Sequence, residues 1–310
     1  MKHIKGIIFV AIFFISMAAS AQWSNVFTHN GIGPSCFATS KDTCFVTGGG
    51  GQIYRTTNGG ISWDSAQTIF NYSWWNDIFF PSANIGYACG GTSFGPYAST
   101  AAKTSNAGAS WDSITSNAFG YELYSAYFIN DTVGFFGGAG LVVKTMDGGL
   151  TFSVDTLTAF GAPEDFYFTS ADTGILVGGY KIARTTDQGQ NWTVVFTDTT
   201  RIHSVSFISS NDGYAVGDKG ALLKTIDRGI TWSKTIIADD STRLESIQFL
   251  NINTGYIAVN SWQTATRGYI FKSTDGGNSW TQQVVSANIP LVSVSMAAPD
   301  TGYASGPQSV

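Results

Sequence analysis

Residues 202–232 read IHSVSFISSNDGYAVGDKGALLKTIDRGITW, and this stretch decides the fold. Apolar and polar residues alternate from Ile202 to Phe207, the period of a strand with one buried face. Asn211-Asp212-Gly213 marks a turn, because Asx side chains bond nearby backbone and glycine accepts the conformations that tight turns need. Tyr214–Gly217 returns as a second strand, and a third precedes Thr225. TIDRGITW then closes the unit from Thr225 to Trp232, and a fourth strand follows it. A hydroxyl residue, an acid two positions on, a glycine two further and a terminal aromatic describe a turn stapled by its own side chains.

The unit recurs. Its turn appears as TTNGGISW from Thr56, TSNAGASW from Thr104, TMDGGLTF from Thr145, TTDQGQNW from Thr185 and STDGGNSW from Ser273, each after Lys or Arg. The third residues are Asn58, Asn106, Asp147, Asp187, Asp227 and Asp275, at spacings of 48, 41, 40, 40 and 48. Four antiparallel strands per roughly 40 residues make one blade of a β-propeller. The hairpin LVSVSMAAPDTGYASG from Leu291 begins a seventh unit whose turn would fall past Val310. Trp23 precedes Trp63 by 40 residues, so QWSNVF from Gln22 aligns with the strand after a turn. That strand is expected to complete the last blade and remove an exposed sheet edge. The expected architecture is an all-β propeller of seven four-stranded blades, the last incomplete or closed by the N-terminal strand. It forms one domain over 22–310, read as C-terminally truncated.

The turns resemble Asp-box (BNR) repeats of the sialidase-like propellers. Together with the GYAVG hairpin, the KTxDxGxxW element most resembles the photosystem II assembly and stability factor family, over nearly all of 22–310. The resemblance implies a propeller that holds another protein without catalysis. The six Asx residues are expected to be structural, stapling hairpins.

Lys2 and Lys5 precede an apolar run from Ile7 through Met17, followed by Ala19-Ser20-Ala21. This order of charge, apolar stretch and small residues reads as a secretory signal peptide over 1–21, cleaved after Ala21. The run is too short to span a bilayer, and no later segment is long and apolar enough. The expected product is secreted, periplasmic or at the cell surface, and monomeric. Loss of the two lysines takes the net charge from −5 to −7, which disfavours nucleic acid as a partner. The three cysteines, Cys36, Cys44 and Cys89, read as small buried side chains. Neither they nor the two mature histidines have metal-ligand spacing, and no cofactor motif is present.

Strand order assigns the faces. With strands a to d running from channel to rim, the a–b and c–d turns share one face and the b–c and d–a loops share the other. The b–c loops of blades 2 and 6 are longer than the rest and contain Tyr97, Trp262 and Arg267. Polar residues begin the inner strands on that same side, including Asp77, Glu164, Asp165, His203 and Glu245, with Trp74, Trp75, Arg201 and Arg243 beside them. Long loops on one face of a rigid scaffold are where recognition concentrates. These twelve residues are the candidate ligand-binding set, for an extracellular protein, peptide or glycan. The competing class is a sialidase-like glycoside hydrolase, with carboxyls drawn from Glu164, Asp165 and Glu245 and arginines from Arg201, Arg243 and Arg267. Those residues lack any surrounding catalytic motif, so the chain reads as a binding or scaffolding propeller.

Overall fold

The computed structural model describes residues 12–13, 23–27, 32–67, 73–92, 99–116, 119, 122–157, 160–261, 268–283, 285 and 289–306. Six antiparallel sheets of four strands follow one another along the chain. Blade 1 comprises Ile32–Ala38, Cys44–Gly48, Gln52–Thr56 and Asp64–Gln67. Blade 2 comprises Ser73–Phe79, Gly86–Thr92, Ser99–Thr104 and Asp112–Ile114. Blade 3 comprises Leu123–Phe128, Gly134–Gly138, Leu141–Thr145 and Ser153–Thr156. Blade 4 comprises Asp165–Phe168, Gly174–Gly178, Lys181–Thr185 and Thr193–Thr197. Blade 5 comprises Ile202–Phe207, Gly213–Gly217, Ala221–Thr225 and Ser233–Ile236. Blade 6 comprises Thr242–Phe249, Gly255–Ser261, Gly268–Ser273 and Thr281–Gln283.

The expectation of seven four-stranded blades is corrected here. Six such blades form, and the seventh unit is a two-stranded sheet of Ser293–Ala298 and Thr301–Ser305. It has strands a and b, but no box-bearing hairpin follows them among the described residues. The inner strand of this sheet still lies between those of blades 6 and 1, so the circle of units is closed.

Trp23 packs where the box aromatic of a complete blade packs. It is fully buried among Tyr256, Ile270, Val294, Met296 and Ala304, between blade 6 and the seventh sheet. The box aromatics sit likewise: Trp192 meets Phe135 of blade 3 and Phe168 of its own blade 4. The likeness continues three residues on. Val26 faces Gly60 of the blade 1 box, as Ile114, three residues after Trp111, faces Gly149 of the blade 3 box. Ser24–Asn25 therefore stands at the place of a fourth strand, paired with Ile12–Phe13, and Trp23 bridges Val285.

Each box is a turn held by bonds among its own residues. In blade 5, Thr225 Oγ1 donates to Asp227 Oδ1 at 2.8 Å and accepts from the Gly229 amide at 3.0 Å. Asp227 in turn accepts from the Thr231 amide at 2.9 Å and hydroxyl at 2.6 Å. The fifth box residue is always glycine for two reasons. Its φ is positive, +77° at Gly229, and a Cβ there would lie 2.4 Å from Ile175 of the preceding blade. Asp227→Ala removes three of these bonds and is expected to destabilise by about 1–3 kcal/mol in urea denaturation while leaving ligand binding unchanged.

The cation before each box also has a structural use. Lys103 Nζ donates to Gly148 O at 2.9 Å, Lys144 Nζ to Gln188 O at 2.6 Å, and Arg184 Nε to Arg228 O at 3.0 Å. Arg55 reaches Ala107 O in the same way. Each acceptor is the fourth residue of the next blade's box, so the cation joins neighbouring blades. Cys36, Cys44 and Cys89 are buried, as expected, and carry free thiols.

Candidate functional site

The inner strands surround a cavity of about 640 Å³ to which all seven units contribute. One Ser or Asp per unit joins each inner strand to the next. Ser35 Oγ donates to Asp77 Oδ1 at 2.7 Å, and Asp77 Oδ2 accepts from the Ala126 amide at 2.9 Å. Ser125 Oγ donates to Pro163 O, and Asp165 Oδ2 accepts from Ser204 Oγ at 2.8 Å and the Val205 amide at 3.0 Å. Ser204, Ser246 and Ser293 accept from the amides of Ile247, Val294 and Cys36. The last of these carries the belt from the seventh sheet back to blade 1. Adjacent inner strands form no common ladder, so Asp77, Asp165, Ser204, Ser246 and Ser293 satisfy amides of the next strand, while Ser35 and Ser125 donate to a carboxylate and a carbonyl.

Asp77 and Asp165 were expected to meet a ligand, yet their oxygens are committed to this belt. Burial pushes Asp77 up to about 6 and Asp165 up to about 7, against the hydrogen bonds each accepts. Trp75 is fully buried with Phe45, Ile53, Ile78 and Trp111 and packs the blade 1–2 core. Tyr97, Trp262 and Arg267 lie outside the described residues.

The residue before each belt position has a different fate. In blades 2, 3, 5 and 6 the pairing of strands a and b shifts register at this point, skipping Asn76, Tyr124, His203 and Glu245. A bulge leaves the extra residue out of the ladder and re-aims its side chain. All four line the channel, with Glu164 at the corresponding place in blade 4.

His203 is the centre of this ring. Its Nδ1 lies 2.7 Å from Glu164 Oε2 and its Nε2 2.9 Å from Asp218 Oδ1. Arg201 pairs with Glu164 at 2.7 Å, and Arg243 Nε lies 3.1 Å from Asp218. Burial alone would lower the imidazole's pKa, but the bonds to Asp218 and Glu164 outweigh it and raise it to about 9. Burial likewise works against ionisation of Glu164 and Asp218, and His203 with the arginines holds both below their usual range. At neutral pH the result is a row of alternating charge across blades 4, 5 and 6, with three cations and two anions. Glu245 accepts from Asn260 Nδ2, and Glu122 from Asn76 Nδ2, both at 2.9 Å. Trp74 and Tyr180 are exposed at 42% and 52%. Tyr180 belongs to the b–c turn of blade 4.

The structure thus brings together Glu164, Arg201, His203, Arg243 and Glu245 from the expected set. It adds Asp218, Asn260 and Tyr180, which sequence reasoning missed. Asp218 lies in the b–c turn GDKG directly after strand b, and the face assignment alone could have pointed to it. The boxes are on the opposite face. Their amides bond the a–b turns, as Arg228 N does to Asn211 O at 2.9 Å and Gly276 N to Asn253 O at 2.9 Å.

The family described as "Photosynthesis system II assembly factor YCF48" matches residues 190–305. The chain resembles the photosystem II assembly factors. A structure described as "YCF48 bound to D1 peptide" is 16% identical, covering 90% of this chain and 92% of its own, with a TM-score of 0.68. YCF48 from Cyanidioschyzon merolae is 14% identical over 96% of this chain and 97% of its own, also at 0.68. A GH74 xyloglucanase from Xanthomonas campestris is 12% identical over 81% of this chain but 45% of its own, at 0.64. At such identities the structural likeness concerns the fold. No curated protein matches the chain.

Proposed function

We propose that the chain is an exported, non-catalytic binding propeller that takes an extended polar peptide across its channel mouth. The observation that carries this reading is the charged row Arg201–Glu164–His203–Asp218–Arg243, with the exposed Tyr180 near Arg201, on the face away from the boxes. Such a row offers a peptide both signs of charge at fixed positions, and Tyr180 offers a surface for stacking. The YCF48 structure with a D1 peptide supports a peptide as the ligand class. The belt supports the non-catalytic reading. Two of the carboxyls facing the channel, Asp77 and Asp165, already join blades, which leaves them poorly placed as a glycosidase pair.

The test is a peptide array, run beside a glycan array, with the Arg201→Ala, Arg243→Ala and Tyr180→Ala variants. Peptide binding is expected to weaken with salt, and about tenfold in either arginine variant. Binding that survives all three substitutions, or glycoside cleavage without peptide binding, would overturn the reading.

A further inference from the structure

Two residues past each belt position the inner strands line the channel a second time, about 7 Å nearer the box face. Blades 1 to 4 place rings there, Phe37, Phe79, Tyr127 and Tyr167. Blades 5 and 6 and the seventh unit place Ser206, Gln248 and Ser295 opposite them.

The rings form one arc. The centroids of Phe37 and Phe79 are 5.2 Å apart, those of Phe79 and Tyr127 4.9 Å, and those of Tyr127 and Tyr167 6.4 Å. The Tyr127 hydroxyl accepts from the Phe168 amide and the Tyr167 hydroxyl donates to Phe207 O, both at 3.3 Å. Each tyrosine is thereby held along the wall, with its polar end turned to the next blade. All four rings are only half-buried and line the cavity.

The other wall is polar and has hydrogens to spare. Ser206 Oγ accepts from the Phe249 amide at 3.0 Å, and Ser295 Oγ from the Ala38 amide at 2.8 Å. Gln248 Oε1 accepts from the Met296 amide. Ser206 and Ser295 are more than nine-tenths buried, and neither hydroxyl donates to a protein acceptor among the described residues.

We propose that this tier is a binding site for one neutral planar ring of the phenol type, its face on the arc from Phe37 to Tyr167 and its oxygen toward Ser206 and Ser295. Ring walls favour a ring as occupant, through offset or edge contacts. The buried hydroxyl hydrogens call for an acceptor, which a purely apolar group cannot supply. An anion is disfavoured, because the carboxyls of Asp77 and Asp165 line the cavity just above. The cavity of about 640 Å³ has the size of a small-ligand pocket. Ser206 lies three residues below His203, about 10 Å along the strand, so the site is independent of what the mouth takes. A free phenolic compound and a tyrosine at the end of an entering chain share this chemistry.

The probes are p-cresol, toluene and the tripeptide Gly-Gly-Tyr, titrated against the full chain by ligand-observed NMR. Saturable binding of p-cresol is expected, about fivefold tighter than toluene, as one neutral hydrogen bond requires. Phe79→Leu removes a ring from the middle of the arc and keeps a large apolar side chain, and is expected to weaken p-cresol binding about fivefold. The comparison of p-cresol with toluene needs no variant and decides the matter even where Phe79→Leu does not fold. Equal binding of p-cresol and Gly-Gly-Tyr supports the site with a chain end as its occupant, and binding of p-cresol alone supports it with a free small molecule. No saturable binding, toluene binding as tightly as p-cresol, or unchanged binding by folded Phe79→Leu would overturn the inference.

Discussion

Trp23→Ala is expected to destabilise the chain by about 3–5 kcal/mol, the usual cost of removing a buried large aromatic. Trp23 is fully buried, and its neighbours come from two units far away in sequence. The indole fills the place that a box aromatic fills elsewhere, so its loss opens a cavity at the junction that closes the circle. Among the described residues the seventh unit has two strands of its own, so it depends on this contact more than a complete blade would. Urea denaturation measures the loss, with Trp74→Ala as the comparison because Trp74 is partly exposed. A Trp23→Ala loss below about 1 kcal/mol, which is typical of surface substitutions, would show that the N-terminal segment does not close the circle.

The second large effect is a dependence of stability on pH, and three buried groups give it one direction. His203 has its pKa raised to about 9, so its contribution is fully present below 6.5 and is lost as pH rises through 9. At roughly 1.4 kcal/mol per unit, that is on the order of 3 kcal/mol between pH 6 and 10. Asp77 and Asp165 are acids raised to about 6 and about 7, so the folded state holds protons that the unfolded state has released. Stability therefore falls further between pH 4 and 7. The box acids act oppositely at the acid end. Hydrogen bonds from Thr151, Asn191 and Ser279 hold Asp147, Asp187 and Asp275 down to about 2, so their contribution is present above pH 4 and lost toward pH 2. The urea midpoint is expected to be highest near pH 4–6. His203→Gln should flatten the fall between pH 6 and 9, and Asp165→Asn the fall between pH 4 and 7. A stability maximum at pH 8, or variants with unchanged slopes, would contradict the assigned protonation states.

The fold was legible because one physical pattern is written six times. Each Asp-box fixes a turn through its own side chains, and its aromatic and glycine fix the packing against the blade before. The place of Trp23 was legible for the same reason, since its distance to Trp63 is one repeat. The number of four-stranded blades was not, because a unit with two described strands still begins with an ordinary hairpin at Leu291. The cation before each box was visible in every copy, but its partner is a carbonyl about 45 residues away, and such a contact leaves no local signal.

The site was legible in outline only. A polar residue followed by Ser or Asp opens several inner strands, and the sequence places both on one face. The two positions differ by a bulge, which turns His203 toward the mouth and leaves Ser204 in the belt. Alternation cannot show a bulge, so Asp77 and Asp165 looked as available as Glu164. Trp74 and Trp75 show the same limit, since adjacent strand residues face opposite ways and only one could be exposed.

The central claim is that the channel mouth, and not the box face, is the working surface. Hydrogen exchange with the tightest peptide from the array tests it most directly. The account predicts protection at residues 201–204, 218–220 and 243–246, with the box turns unchanged. Protection confined to the box turns and the a–b turns, with the channel mouth exchanging as in the free chain, would contradict it.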